Sequence, residues 1–270
     1  MNDTVFYVGG SKGGVGKSLI SAVLVQFLID KFSETKSVHL VETDNTNPDV
    51  GRIYAGKIPV TPVVLDESED GWLTLFDLCE KNSDTLFVVN SAARSNFGVA
   101  KNGGIFFHSI ADRSIAYDLV TFWPINRQVD CVNLLVKHLD AVRYGPVYVI
   151  RNNYWGEPKD FQIYDSMMGR GKNPDTAQPR VSGVLDFPAL NDLITLQFYS
   201  YGKTIPEVAE KLNVFKRQLF LSWKAKAYAM FESTGLFGSE PEYAVIPSGD
   251  GSSGYSGSPV FQIEGSGDDG

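Results

Sequence analysis

The sequence is poor in everything that would staple or plate a protein. It holds two cysteines and three histidines in 270 residues. Cys79 and Cys131 fall in helix-like stretches ("LTLFDLCEK", "VDCVNLLVKHL") and have neither metal-ligand nor cluster spacing, so both read as buried structural thiols. His39, His108 and His138 are scattered over a strand, a helix start and a helix, which suits packing or exposure better than catalysis. No apolar run approaches the roughly 18 to 20 residues of a membrane span, and the N-terminus enters a strand-like segment without a charged-then-apolar leader. A soluble chain in the cytoplasm, without membrane insertion, is the expectation. Basic excess is missing too: the formal charge is −8, which argues against a chain that coats nucleic acid non-specifically. Six of the 32 acids (Glu240, Glu242, Asp250, Glu264, Asp268, Asp269) lie in 240–270, where there is no Lys or Arg, so the body carries 26 acids against 24 bases.

What is present is a hydrophobic content of 43%, enough for a sizeable core. From 1 to about 235, short β-rich runs alternate with helical patterns, the signature of an α/β fold with a mostly parallel sheet flanked by helices on both faces. The strands expected are 4–10, 37–43, 85–91, 118–124, 146–152 and 180–186. Each is an apolar run without alternation, as burial on both faces requires. Helices are expected at 17–31, 71–82, about 105–115, 127–142, about 159–168, 189–199 and 205–232. The last has Thr204 and Glu207 as a capping box with Pro206 in its first turn, and Val208, Leu212, Phe215 and Leu219 as its buried stripe. The division expected is an ATPase domain at 1–237 and an acidic tail at 238–270. Residues 249–270 contain seven glycines among serines and acids, a composition that cannot bury enough apolar surface to order itself.

The chemistry starts at "VFYVGGSKGGVGKSLISAVL", residues 5–24. The glycines of "KGGVGKS" let successive N–H groups turn inward, and the helix after them adds its positive end: an anion cradle. Gly13, Gly14, Val15, Gly16, Lys17, Ser18 and Leu19 are its candidate lining, with Lys17 for the β- and γ-phosphates and the Ser18 hydroxyl for Mg²⁺. The standard G-x-x-x-x-G-K-[ST] spacing fails because position 11 is Ser11, and a second lysine, Lys12, stands in the loop.

The spacing K-G-G-x-G-K-[ST] resembles the deviant Walker A motif of the ParA/MinD family of P-loop ATPases. The resemblance implies that Lys12 is the signature lysine, reaching the phosphates held by a second subunit across a nucleotide-sandwich homodimer. A solvent-facing lysine at a loop tip is the alternative. "VHLVETDNTNPD" looks like the family's switch I, with Asp44 where the carboxylate that positions the attacking water stands and Glu42 two residues before it. Capping of its own loop is the other role open to Asp44. "LFVVNSAARSN" places Asn90 where the family has the Walker B acid, which removes a negative charge beside Mg²⁺; Glu42, at an adjacent strand end, is the candidate to compensate. Arg94 comes later in the same loop. Asn152 stands where similar ATPases read adenine, or serves as a strand-end turn residue, and Pro188 in "DFPAL" resembles the residue that packs on the base. No T-K-x-D or N-K-x-D is present, so ATP is favoured over GTP.

The resemblance implies a slowly hydrolysing ATP-driven dimeric switch, serving plasmid DNA segregation or conjugal transfer, with an activating partner protein and DNA contacted directly or through a partner. Two other readings stand beside it: a nucleotide-dependent interaction module with little hydrolysis, and a small-molecule ligase or synthetase of similar fold. The bases Lys211, Lys216, Arg217, Lys224 and Lys226 scatter around the last helix, which favours a solvated face over a DNA patch.

Overall fold

The computed structural model describes residues 1–10, 12–93, 98–168 and 181–238. All but the first residue of the expected tail falls outside these, as do Ser11 and Arg94. The strands are β1 (Thr4–Val8), β2 (Ser37–Glu42), β3 (Val60–Pro62), β4 (Thr85–Asn90), β5 (Asp118–Ile125), β6 (Val147–Asn152) and β7 (Gly183–Phe187). They form one sheet in the order β3-β2-β4-β1-β5-β6-β7. Every pairing is parallel, with Val8 level with both Asn90 and Phe122.

The α/β expectation therefore holds, and its physical basis is visible in β1. Phe6 and Val8 pack into the core on one face of the sheet, whereas Val5 and Tyr7 pack on the other. Alternate residues serve opposite cores, so the strand is an apolar run and not an alternation of apolar and polar residues. On the first face lie α1 (Lys17–Phe32), α7 (Asp192–Tyr201), α8 (Ile205–Lys211) and α9 (Val214–Glu232). On the second lie α3 (Asp70–Lys81), α4 (Gly104–Ala111), α5 (Val129–Ala141) and α6 (Gln162–Met168). A short α2 (Asp49–Tyr54) joins β2 to β3. Helix α1 is buried almost continuously from Ile20 to Leu28, which its apolar sequence anticipates.

Three features depart from the sequence reading: α2, β3 and a break in the last expected helix. Strand β3 has three residues and ends in Pro62, which an edge position tolerates. The expected helix 205–232 is two helices. Leu212 is extended, Asn213 caps α9 by accepting the Lys216 N–H, and the Arg217 guanidinium donates to the carbonyls of Ala209, Glu210 and Leu212 at the end of α8. The break resets the helical phase, so Val208 and Leu212 are buried but Phe215 and Leu219 are 72% and 44% exposed. The core stripe of α9 is instead Phe220, Trp223, Ala227, Met230 and Phe231. The expected capping box is present, the Glu207 carboxylate accepting the Thr204 N–H at 2.9 Å. Cys79 and Cys131 are buried free thiols, and no helix among the described residues is long and apolar enough to cross a membrane.

His138 lies buried on α5, stacked on Tyr7 and tilted against Trp123, with Nε2 unpartnered. Burial pushes its pKa down from 6.5 to about 4. The fold thus holds it neutral, while the unfolded chain takes up a proton below pH 6.5. Stability is fully present above that pH and falls as pH drops towards 4, by about 3 kcal/mol in all. His138→Phe is expected to remove this component, so urea unfolding of wild type and variant will converge or cross between pH 7 and 4; parallel curves would contradict it.

Candidate functional site

All seven strands point their carboxyl ends to one edge, and the chain departs from central β1 to one side for β2–β4 and to the other for β5–β7. That divergence opens a crevice at the end of β1, where ligands of such sheets bind. Residues 9, 10 and 12–16 lie between β1 and α1 at that end. Gly10, Gly14 and Gly16 have φ of +118°, +75° and +101°, a region that L side chains rarely adopt, and Gly13 and Gly14 face open space. Val15 anchors the loop in the core beside Trp123, Ile125 and Cys131. From the end of β6, two strands away, the Asn152 amide donates to the Val15 carbonyl at 2.9 Å. A Cβ on Gly16 would collide with that amide. Here the glycine is required twice, by its φ and by the close approach.

The two lysines are both in the loop and held differently. Lys17 is buried at the start of α1, and its Nζ donates to the Lys12 carbonyl at 2.9 Å. Burial lowers its pKa to about 8, opposed by the charge of Asp44. Lys12 is at the rim, where its Nζ meets the Asp130 carboxylate at 2.9 Å with side chains 36% and 58% exposed. Asp130, at the start of α5, escaped the sequence reading because nothing in "RQVDCVN" marks it. Ser18 and Leu19 occupy the first turn of α1, half-buried.

At the ends of β2 and β4 stands a closed polar network. Asn90 Nδ2 donates to Glu42 Oε1 at 2.8 Å, and the Ser21 hydroxyl donates to Asn90 Oδ1 at 2.9 Å. Glu42 also accepts the N–H groups of Asp44 and Gly51. Glu42 and Asn90 are each 1% exposed, and burial raises the Glu42 pKa. An aspartate at 90 would bring a second carboxylate against Glu42 and supply no donor, which explains the amide. Asp44 Oδ1 accepts the N–H groups of Thr46 and Asn47, so it caps its own loop while remaining near Lys17. Asn152 Oδ1 accepts the Tyr154 N–H, the strand-end turn role. Pro188, after β7, is held by a 2.8 Å bond from Trp223 Nε1 to its carbonyl.

No group of three or more His, Cys, Asp or Glu side chains among the described residues is arranged to hold a metal. This donor set fits Mg²⁺, which keeps several waters and takes few protein ligands alongside phosphates, better than a fully protein-caged ion. Of the five bases expected on the last helix, Lys216, Arg217 and Lys224 are bonded within the chain, to Gln197, to the α8 carbonyls and to Asp30 respectively, and Lys211 lies over the Tyr201 ring.

Asn90→Asp is expected to cost about 2–4 kcal/mol, because it buries two adjacent carboxylates. Adding Glu42→Gln restores a donor–acceptor pair across the strands and recovers about 1–3 kcal/mol. The recovery is incomplete, since one Gln oxygen cannot serve every N–H that the carboxylate serves. Urea unfolding of the three variants measures this; strictly additive losses would contradict it.

No family model matches the sequence. Among solved structures, the MinD cell division protein of Aquifex aeolicus is 16% identical with a TM-score of 0.46, covering 84% of this chain and 97% of that one. A plasmid partition protein from Borrelia burgdorferi is 13% identical with a TM-score of 0.43, covering 82% and 99%. The sequence is 34% identical over 232 residues to protein MobD of Acidithiobacillus ferrooxidans, covering 86% of this chain and 98% of the relative. With its phosphate loop of ParA/MinD type and that identity across almost the whole of both sequences, the chain belongs to the MobD family.

Proposed function

We propose that this chain is an ATP-binding, slowly hydrolysing dimeric switch that acts in the cytoplasm in plasmid DNA segregation or conjugal transfer. Residues 1–237 form the ATPase domain and 238–270 a tail. The observation that supports it most is the pair of lysines in one loop: Lys17 tucked against the Lys12 carbonyl and Lys12 at the rim.

Gly13, Gly14, Val15 and Gly16 offer backbone N–H groups to phosphate, and Lys17 exchanges its carbonyl partner for phosphate oxygens. With a pKa of about 8, Lys17 is charged in most molecules at neutral pH, and anionic oxygens hold it so. Ser18 is the protein ligand for Mg²⁺, which when bound neutralises charge on the phosphates. Glu42 and Asn90 act indirectly, joining the ends of β2 and β4 and holding the backbone of Asp44, which orients the attacking water. Lys12 is tied to Asp130 by a solvent-exposed pair, which water and salt screen, a hold weak enough to release it to the phosphates of the second subunit.

The inward bonding of Asn90 favours, as a second reading, a module that binds ATP and dimerises but barely hydrolyses it. Phosphate release from Mg²⁺·ATP by wild type and Lys12→Ala, with and without duplex DNA, separates the two. The switch predicts slow release raised by DNA or a partner protein, and a loss of at least about tenfold in Lys12→Ala. Turnover indifferent to Lys12 would overturn it, and background release under every condition would leave the module.

A further inference from the structure

The segments after β5 and β6 and the start of α6 enclose a cavity of about 470 Å³, with Asn126, Arg127, Gln128, Trp155 and Ile163 in its wall. Five large apolar side chains gather around it. Trp155 and Ile163 line it, and Tyr154 packs edge-on against Trp155 with ring centroids 5.2 Å apart. Met167 is one turn beyond Ile163 on α6, and Val129 follows Gln128 at the start of α5. Each is between 36% and 52% exposed. Apolar side chains exposed singly are ordinary, whereas a gathered set marks a surface that something covers.

The polar groups of the cavity have capacity to spare. Asn126 is buried, and its Oδ1 accepts the Gln128 N–H and the Cys131 thiol, each at 2.9 Å. Its Nδ2 has no partner among the described residues, nor has the Arg127 guanidinium. Tyr, Trp, Met and Arg are the residues enriched where two proteins meet, and Trp, Tyr and Arg carry most of the binding energy there. A nucleic acid suits the face less well: the carboxylates of Asp130, Glu157, Asp160 and Asp165 outnumber the cations of Lys12, Arg127 and Lys159, and a phosphate backbone needs a basic excess.

The place of the face in the fold says which protein covers it. Val129 adjoins Asp130, whose carboxylate holds Lys12 Nζ at 2.9 Å, so this face and the second lysine share one rim. A copy near enough to receive Lys12 at its phosphates lies against that rim. We infer that the second copy of the chain seats on this face, with Tyr154 and Trp155 as its apolar anchors. This rests on the dimeric reading above and adds the surface that holds the dimer together, which charges exchanged at the phosphates do not supply.

Sedimentation of the full chain over a series of concentrations in Mg²⁺·ATP measures the dimer constant and tests the inference. The double variant Tyr154→Ser, Trp155→Ser is expected to weaken dimerisation at least about tenfold. Its affinity for Mg²⁺·ADP, read by calorimetry on the monomer, is expected to stay within about twofold of wild type. Leu196→Ser, an exposed apolar position on α7, is expected to change the dimer constant by less than about twofold. If the double variant loses ADP binding, the dimer constant is read instead on Val129→Ser, whose side chain is exposed at the same face. Dimerisation as tight as wild type in the variant so read, or an equal weakening in Leu196→Ser, overturns the inference. A wild type that stays monomeric in ATP overturns the dimeric reading beneath it.

Discussion

The site depends on one hydrogen bond, from the Asn152 amide to the Val15 carbonyl, which ties together positions 137 residues apart in sequence. A loop of glycines has many conformations, and ordering it costs more entropy than ordering any other composition. Val15, sunk in the core beside Trp123 and Ile125 of β5, and Asn152 at the end of β6, pressed against Gly16, offset that cost. The loop is thereby preformed, and an anion that enters it has little ordering left to oppose its binding.

A second constraint runs across the other half of the site. Glu42 is a carboxylate almost without solvent, stable only because Asn90 and two backbone N–H groups donate to it. Its bonds reach both the end of β4 and the segment that carries Asp44, so the two loops leaving these strands share one anchor. Glu42 stands at the end of β2, level with Asn90 at the end of the neighbouring β4. The amide at 90 is the consequence: beside a buried carboxylate, a donor is stabilising and a second carboxylate is not.

Most of the fold was legible because central parallel strands are unbroken apolar runs, as in β1, β4 and β5, and because α1 is apolar on every side. What was missed has local causes. Strand β3 is three residues long with a proline, and α2 is six residues interrupted by Gly51, whose N–H is needed by Glu42. The break at Leu212 leaves no glycine or proline to announce it; Asn213 and Arg217 make it through caps that only the folded chain reveals. In the site, the two lysines and their glycines were readable from spacing. The partnership of Lys12 with Asp130 was not, since it depends on which way a side chain turns at a helix end.

The central claim is that this loop, with its second lysine, joins two copies of the chain through ATP. The most direct measurement is the molar mass in solution of wild type and Lys12→Ala, by light scattering, with Mg²⁺·ATP and with Mg²⁺·ADP. Wild type is expected to be a dimer with ATP alone and a monomer with ADP. A monomer in every nucleotide state, or a dimer indifferent to nucleotide, would contradict it.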